Sequence, residues 1–143
     1  MKKVLVLATL LWTMTVLGCA GNGLKFSAFG PGDVTDLNAA DSVAMLKNGK
    51  DILILDVRSE KEMKSKHDFL IGATMIPERE LAGRLSEIAA YKEKKVLLAC
   101  PCGLRSRRAA ELLVRNGFEH VYNIAAPGIP GLVDVPGAPV ERR

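Results

Sequence analysis

The sequence predicts an α/β domain of three layers, in which a mainly parallel sheet lies between helices. Two unbroken apolar runs, Ile52-Leu53-Ile54-Leu55 and the stretch from Lys95 to Cys100, lack the polar alternation of a half-exposed strand and read as strands buried on both faces. Segments of helical periodicity separate the strands, the pattern that right-handed crossovers convert into a parallel sheet. The 143 residues are 48% hydrophobic and 25% charged, which suits a single packed core.

Residues 19–33 contain Ala-Gly-Asn-Gly and Phe-Gly-Pro-Gly-Asp, a linker of turn formers, so the folded unit is expected to begin near Val34. Asn38, with Asp41 three residues on and Asn48-Gly49 as a stop, frames a capped helix that carries Val43 and Leu46. The first buried strand ends at Asp56. A short charged helix is expected over Ser59–Lys66, a short strand over Ala73–Ile76, and one helix over Glu80–Tyr91 with Leu81, Leu85 and Ile88 on one face. After the second buried strand, a helix over Arg105–Asn116 turns Ala109, Leu112 and Leu113 inward and stops at Gly117. Val121–Ile124 is the last strand. Pro127, Pro130, Pro136 and Pro139 follow, and residues 130–143 are expected to form an extended, poorly ordered tail.

The first 18 residues read differently. Lys2 and Lys3 precede an uncharged run, Val4–Leu17, of 14 residues, which fits the apolar part of a secretory signal and falls short of the ~20 residues of a membrane-spanning helix. Val16-Leu17-Gly18-Cys19 resembles the bacterial lipobox. That resemblance implies cleavage before Cys19, lipidation of Cys19, and a protein tethered on the periplasmic side of the cell envelope; Ala20 favours the outer membrane over the inner. Ordinary cleavage near Ala20, or an uncleaved anchor, would equally export the domain. Lys plus Arg total 20 against 16 acidic residues, and Lys2 and Lys3 make up half of that excess. With 5% aromatics and no long basic run, neither basic patches nor stacking platforms point to a nucleic-acid partner.

Ligands of open parallel sheets bind beyond the carboxyl ends of the strands, which selects Asp56 and Cys100. Cys100 opens the loop Cys100-Pro101-Cys102-Gly103-Leu104-Arg105, and Ser106 follows at the start of a helix. Free N–H groups at a helix start, together with nearby guanidinium groups, favour thiolate over thiol and make a nest for an anionic sulfur. Arg107, Glu111 and Arg115 are spaced to form a surface ladder, and Arg108 reaches Glu111 at i+3. Arg105, placed against the helix dipole, is expected to face an anion.

The order Ile54-Leu55-Asp56-Val57-Arg58, Glu62, His67, Gly72-Ala73, Ile76-Pro77 and then Cys100-x-x-Gly103-x-Arg105-Ser106, with Gly117-Phe118 and Val121-Tyr122, resembles the rhodanese family. The match runs from about Val34 to Gly128, with a rhodanese-like domain over 34–129. The resemblance implies a sulfurtransferase with Cys100 as the catalytic nucleophile, Pro101, Cys102, Gly103, Leu104 and Arg105 as the persulfide loop, and Arg105 as the residue that binds an anionic donor. Asp56 and Arg58 would support the same sheet edge. The loop from Cys100 to Arg105 has six residues, the size that in this family wraps one sulfur atom, whereas the related phosphatases and arsenate reductases carry one residue more. Counting from Cys102 to Arg107 gives the same length but takes Gly103 out of the position where it allows the tight turn.

Departures from the family pattern are visible. His67 to Gly72 is two residues longer than usual, Ala125-Ala126-Pro127-Gly128 replaces a Gly-Gly, and the tryptophan that often follows is missing, Trp12 being the only one. Pro101 stands where a basic residue is common, which weakens the case for thiosulfate as donor. Cys102 is either a small loop residue or a resolving thiol that attacks a Cys100 persulfide. No further cysteine and no histidine spacing completes a metal site, His67 and His120 read as structural, and no cofactor is expected. The function expected is transfer of a sulfane sulfur from thiosulfate, persulfide or polysulfide to a thiol or cyanide. Thiol-disulfide chemistry at Cys100 and Cys102, or a catalytically silent binding module, are the alternatives.

Overall fold

The computed structural model describes residues 33–65 and 68–142. The signal segment, Cys19, most of the linker, and Lys66 and His67 lie outside these. Among the described residues seven strands form, in chain order: β1 (Thr35–Leu37), β2 (Ile52–Asp56), β3 (Phe69–Leu70), β4 (Thr74–Met75), β5 (Lys95–Ala99), β6 (His120–Ile124) and β7 (Val140–Glu141). The helices are α1 (Ala39–Asn48), α2 (Glu60–Lys64), α3 (Glu78–Leu81), α4 (Leu104–Arg115) and α5 (Ile129–Leu132), with a 3-10 helix at Leu85–Tyr91. The main sheet has the order β1-β6-β5-β2-β4, and every pairing in it is parallel.

Both central runs are buried because helices cover the sheet on its two faces. Strand alternation divides them. Val96 and Leu98 of β5 join Leu53, Leu55 and Val57 in a core with Leu81, Ile88, Ala110 and Leu113, while Leu97 and Ala99 join Val43, Ile124, Ile129 and Leu132 in the other. Cys100 continues the first set, so its side chain lies on the α4 side.

Side-chain caps start two helices, and the sequence indicates the first of them. The Asn38 side chain accepts the Asp41 N–H at 2.9 Å, and Ser59 forms a reciprocal capping box with Glu62. The expected helix over Glu80–Tyr91 is corrected: α3 ends at Leu81 and the 3-10 helix begins at Leu85. Gly83 and Arg84 make the break, their N–H groups turning back to Glu80 and Leu81 carbonyls, yet Leu81 and Ile88 still reach the core. Short β1 passed unrecognised because only three residues pair with β6.

The tail is also corrected. Residues 129–141 fold back: Ile129 and Leu132 are buried, β7 pairs antiparallel with β3, and Lys47 Nζ donates to the Pro136 carbonyl at 2.7 Å. Proline content concealed this, because Pro127 and Pro136 occupy turns and Pro130 the first turn of α5, while apolar Ile129, Leu132 and Val140 make the contacts. Truncating Leu132 to Ala should therefore lower unfolding free energy by about 2–5 kcal/mol in urea melts; a loss below about 1 kcal/mol would mean that the tail is not part of the cooperative unit.

Candidate active site

Beyond Ala99 the chain leaves the sheet and turns under the first turn of α4. Gly103 makes this possible twice over. Its φ of +78° is left-handed, and a Cβ there would lie 2.8 Å from Ala126 N and 2.9 Å from Ala125 C, backbone atoms that cannot give way. Gly128 is equally constrained, since a Cβ would sit 2.2 Å from the Cys100 carbonyl oxygen; that oxygen accepts the Ile129 N–H at 3.0 Å. The refolded tail thus fixes the base of the loop. The left-handed turn falls at Gly103, the fourth residue of the loop counted from Cys100.

Cys100 Sγ accepts three hydrogen bonds, from the Gly103 N–H at 3.1 Å, the Ser106 N–H at 3.4 Å and the Ser106 hydroxyl at 3.2 Å. Burial is complete, with 0% of the residue exposed. Burial pushes the thiol pKa up, but the Ser106 hydroxyl and the N–H groups of Ser106, Cys102 and Arg105 outweigh it, and the net pKa is lowered. The Ser106 hydroxyl also lies 3.1 Å from the Gly103 carbonyl, so its single proton has two acceptors; ionisation of the sulfur draws it towards Cys100. The Asn123 side-chain amide, at the end of β6, donates to the Gly103 carbonyl at 3.3 Å and to Asp36 at 2.8 Å, tying the loop to the neighbouring strand.

Asp56 and Arg58 form a second buried unit. Both are 1% exposed, and the guanidinium binds the carboxylate through Nε at 2.9 Å and Nη2 at 2.6 Å. The Arg58 N–H closes a further bond to Asp56 at 3.0 Å, and the guanidinium lies 5.3 Å from the centre of the Phe69 ring. These contacts shape the sheet edge next to the loop. Breaking such a pair strands a buried charge, at a cost of roughly 3–5 kcal/mol.

Arg105 faces an anion, and the anion is a carboxylate of the same chain. Its two terminal nitrogens bind Glu62 at 2.7 and 2.5 Å. The Arg105 guanidinium, opposed by burial and helped by Ser59, holds the Glu62 carboxyl well below the usual range, and Glu62 raises Arg105 in turn. Arg108 is corrected: it bonds Glu78 at 2.8 and 3.3 Å instead of Glu111, because α3 brings that carboxylate to the foot of α4. Arg107 does reach Glu111, at 3.1 Å, and also pairs with Asp36. Beside the loop opens a cleft of about 520 Å³ whose walls carry Arg79, Arg105 and Arg108 with Glu62 and Glu78.

Cys102 and Leu104 are exposed on the outer side of the loop, and Pro101 is half-buried. Cys100 and Cys102 are both free thiols. His120 is exposed at the start of β6. Ser106, Asn123 and the pairing role of Glu62 were not assigned from sequence. The signals existed: Glu62 stands three residues after the Ser59 cap, and Asn123 is a polar interruption of an apolar strand.

Among curated proteins, the chain is similar to the tRNA uridine(34) hydroxylase of Buchnera aphidicola subsp. Acyrthosiphon pisum (strain Tuc7), with 31% identity over 114 residues, 78% of this chain and 35% of the relative. The chain thus spans about a third of the length of the curated relatives it matches. Among solved structures, it resembles a rhodanese-related protein from Thermoplasma volcanium, with 28% identity, a TM-score of 0.60, and coverage of 75% of this chain and 97% of that one. It shares its fold with a thiosulfate sulfurtransferase from Pseudomonas aeruginosa at 24% identity and a TM-score of 0.62, over 76% of this chain and 20% of the other. The rhodanese-like domain model matches residues 39–126, from α1 to just beyond β6 and across the whole cysteine loop, and the chain belongs to the rhodanese-like domain family.

Proposed function

We propose that the chain is a rhodanese-type sulfurtransferase, carrying a sulfane sulfur from thiosulfate, a persulfide or a polysulfide to a thiol or cyanide as a persulfide on Cys100. The observation that supports this most is the convergence of N–H and O–H donors on Cys100 Sγ, which favours a thiolate in a place where a neutral thiol would need no such set. In the first half-reaction the thiolate attacks the outer sulfur of the donor. A new S–S bond forms, the donor's own bond to that sulfur breaks, and the electron pair leaves with sulfite or a thiolate. In the second, an acceptor thiolate or cyanide attacks the outer sulfur and Cys100 departs as thiolate again. Both steps are two-electron displacements, the ping-pong pattern of a covalent carrier, and neither calls for a metal or an organic cofactor.

Pro101 has no N–H to give, so the charge on the outer sulfur falls to the amides from Cys102 onward and to the start of α4. Because Cys100 is fully buried, the donor must displace part of the loop to reach it, and exposed Cys102 and Leu104 meet it first. The name of the curated relatives describes proteins of which this chain covers 35%, and their reaction on tRNA is not part of this proposal; partners are the small donor and acceptor. Intact mass after exposure to polysulfide should show one added sulfur atom on wild type and on Cys102→Ala, none on Cys100→Ala, and return to the starting mass with cyanide. A loss of two hydrogens in place of the added sulfur would favour thiol-disulfide chemistry through Cys102. No change at all would leave a silent binding module.

The proposal also places the domain at the cell envelope. Lys2-Lys3, the apolar run and Val16-Leu17-Gly18-Cys19 support a lipid anchor at Cys19 on the periplasmic side, held by burial of acyl methylenes at about 0.8 kcal/mol each. Expressed in a bacterial host, the full chain should incorporate a labelled fatty acid and fractionate with membranes, and Cys19→Ser should abolish the label. Labelling that survives Cys19→Ser would refute the anchor.

A further inference from the structure

The sulfur-transfer reading of Cys100 leaves open which donors the site accepts, and the charges beside the loop bear on that choice. Arg105 is the loop's only cationic residue, and both of its terminal nitrogens are occupied by Glu62. Glu62 is not free to swing away. The same carboxylate accepts the Ser59 N–H at 3.0 Å and the Ser59 hydroxyl at 2.7 Å, so the helix cap that starts α2 also holds the carboxylate over the guanidinium. The second guanidinium on the cleft wall, Arg108, is met by Glu78 at 2.8 Å. The third, Arg79, is exposed, and among the described residues no ion pair is formed with it. Three cations against two carboxylates leave one net positive charge, and Pro101 adds neither a charge nor an N–H.

We infer that Glu62 sets the donor class: by neutralising Arg105 it fits the site to sulfane-sulfur donors that carry one negative charge, persulfides and thiosulfonates, and disfavours the thiosulfate dianion. Arg79, the one cleft guanidinium with no ion pair among the described residues, answers a single charge, so a dianion entering over the loop brings its second charge uncompensated beside the Glu62 carboxylate. The inference rests on the sulfur-transfer reading and names the substrate class of that site. Glu62 is a specificity residue here and takes no part in the bond changes.

Thiosulfate and methanethiosulfonate make the test, because the second replaces one anionic oxygen of the first with a methyl group. With either, the Cys100 thiolate takes the outer sulfur, and the S–S bond electrons leave with sulfite or methanesulfinate. Wild type should show the higher kcat/KM for methanethiosulfonate. Glu62→Gln keeps the oxygen that accepts from Ser59 but not the charge. It should raise kcat/KM for thiosulfate relative to methanethiosulfonate on the order of tenfold, a gap of about 1.4 kcal/mol, at a pH where alkylation of Cys100 has reached its plateau. The gain should shrink as salt is added. Ser59→Ala, which weakens the cap and keeps the charge, should leave the ratio near that of wild type. An unchanged ratio in Glu62→Gln, an equal fall for both donors, a wild-type preference for thiosulfate, or the same change in Ser59→Ala would each overturn the role of Glu62 while leaving sulfur transfer intact. If neither donor adds sulfur to Cys100 in the wild-type protein, the sulfur-transfer reading falls, and this inference with it.

Discussion

The hydrogen bonds that converge on Cys100 Sγ are the constraint around which the rest of the site is arranged. A thiolate removed from water is costly unless donors replace the lost hydration. Here the replacement comes from the backbone and one hydroxyl, groups that are polar whether or not the sulfur is charged and that need no counterion. Strand alternation in β5 points Cys100 towards α4, and the first turn of α4 is where an α-helix has N–H groups to spare. One cysteine placed one residue beyond a buried strand therefore meets donors that the fold was already obliged to expose.

Such a site depends on the base of its loop staying in place. Three separate contacts hold it. Gly103 lies against the end of β6, Gly128 against the Cys100 carbonyl, and the Asp56–Arg58 pair closes the adjoining edge of β2. The tail belongs to this frame, since the Ile129 N–H donates to the Cys100 carbonyl. Charge plays a smaller structural part. The arginines at the foot of α4 are matched by Glu62, Glu78, Asp36 and Glu111, and these pairs shape the electrostatics of the cleft more than they add to stability, as partly exposed ion pairs do.

Much of this was legible in the sequence, and the gaps have physical reasons. Buried strands announce themselves by apolar runs, so β2, β5 and β6 and the parallel sheet could be read directly, as could Asn38 as a cap. The broken helix at Gly83 could not, because Leu81, Leu85 and Ile88 keep helical spacing across the break. The tail was misread because proline frequency reports on local backbone freedom and not on the apolar side chains between the prolines. At the loop, motif spacing pointed to Cys100 and Arg105, but pattern alone could not show that Arg105 is already paired. That depends on α2 and α4 meeting in space across 43 residues of sequence.

The central claim is that the donors around buried Cys100 favour its thiolate over the thiol. The direct measurement is a titration of thiolate ultraviolet absorbance in the Cys102→Ala protein, repeated with Ser106→Ala. The account predicts a midpoint below that of an ordinary cysteine, moved up when the Ser106 hydroxyl is removed. Because the folded state binds the proton less tightly than the unfolded chain, the thiolate should add stability at alkaline pH, above the unfolded value, and that contribution should fade as pH falls through the folded midpoint. A midpoint at or above that of a free cysteine, unmoved by Ser106→Ala, would contradict it.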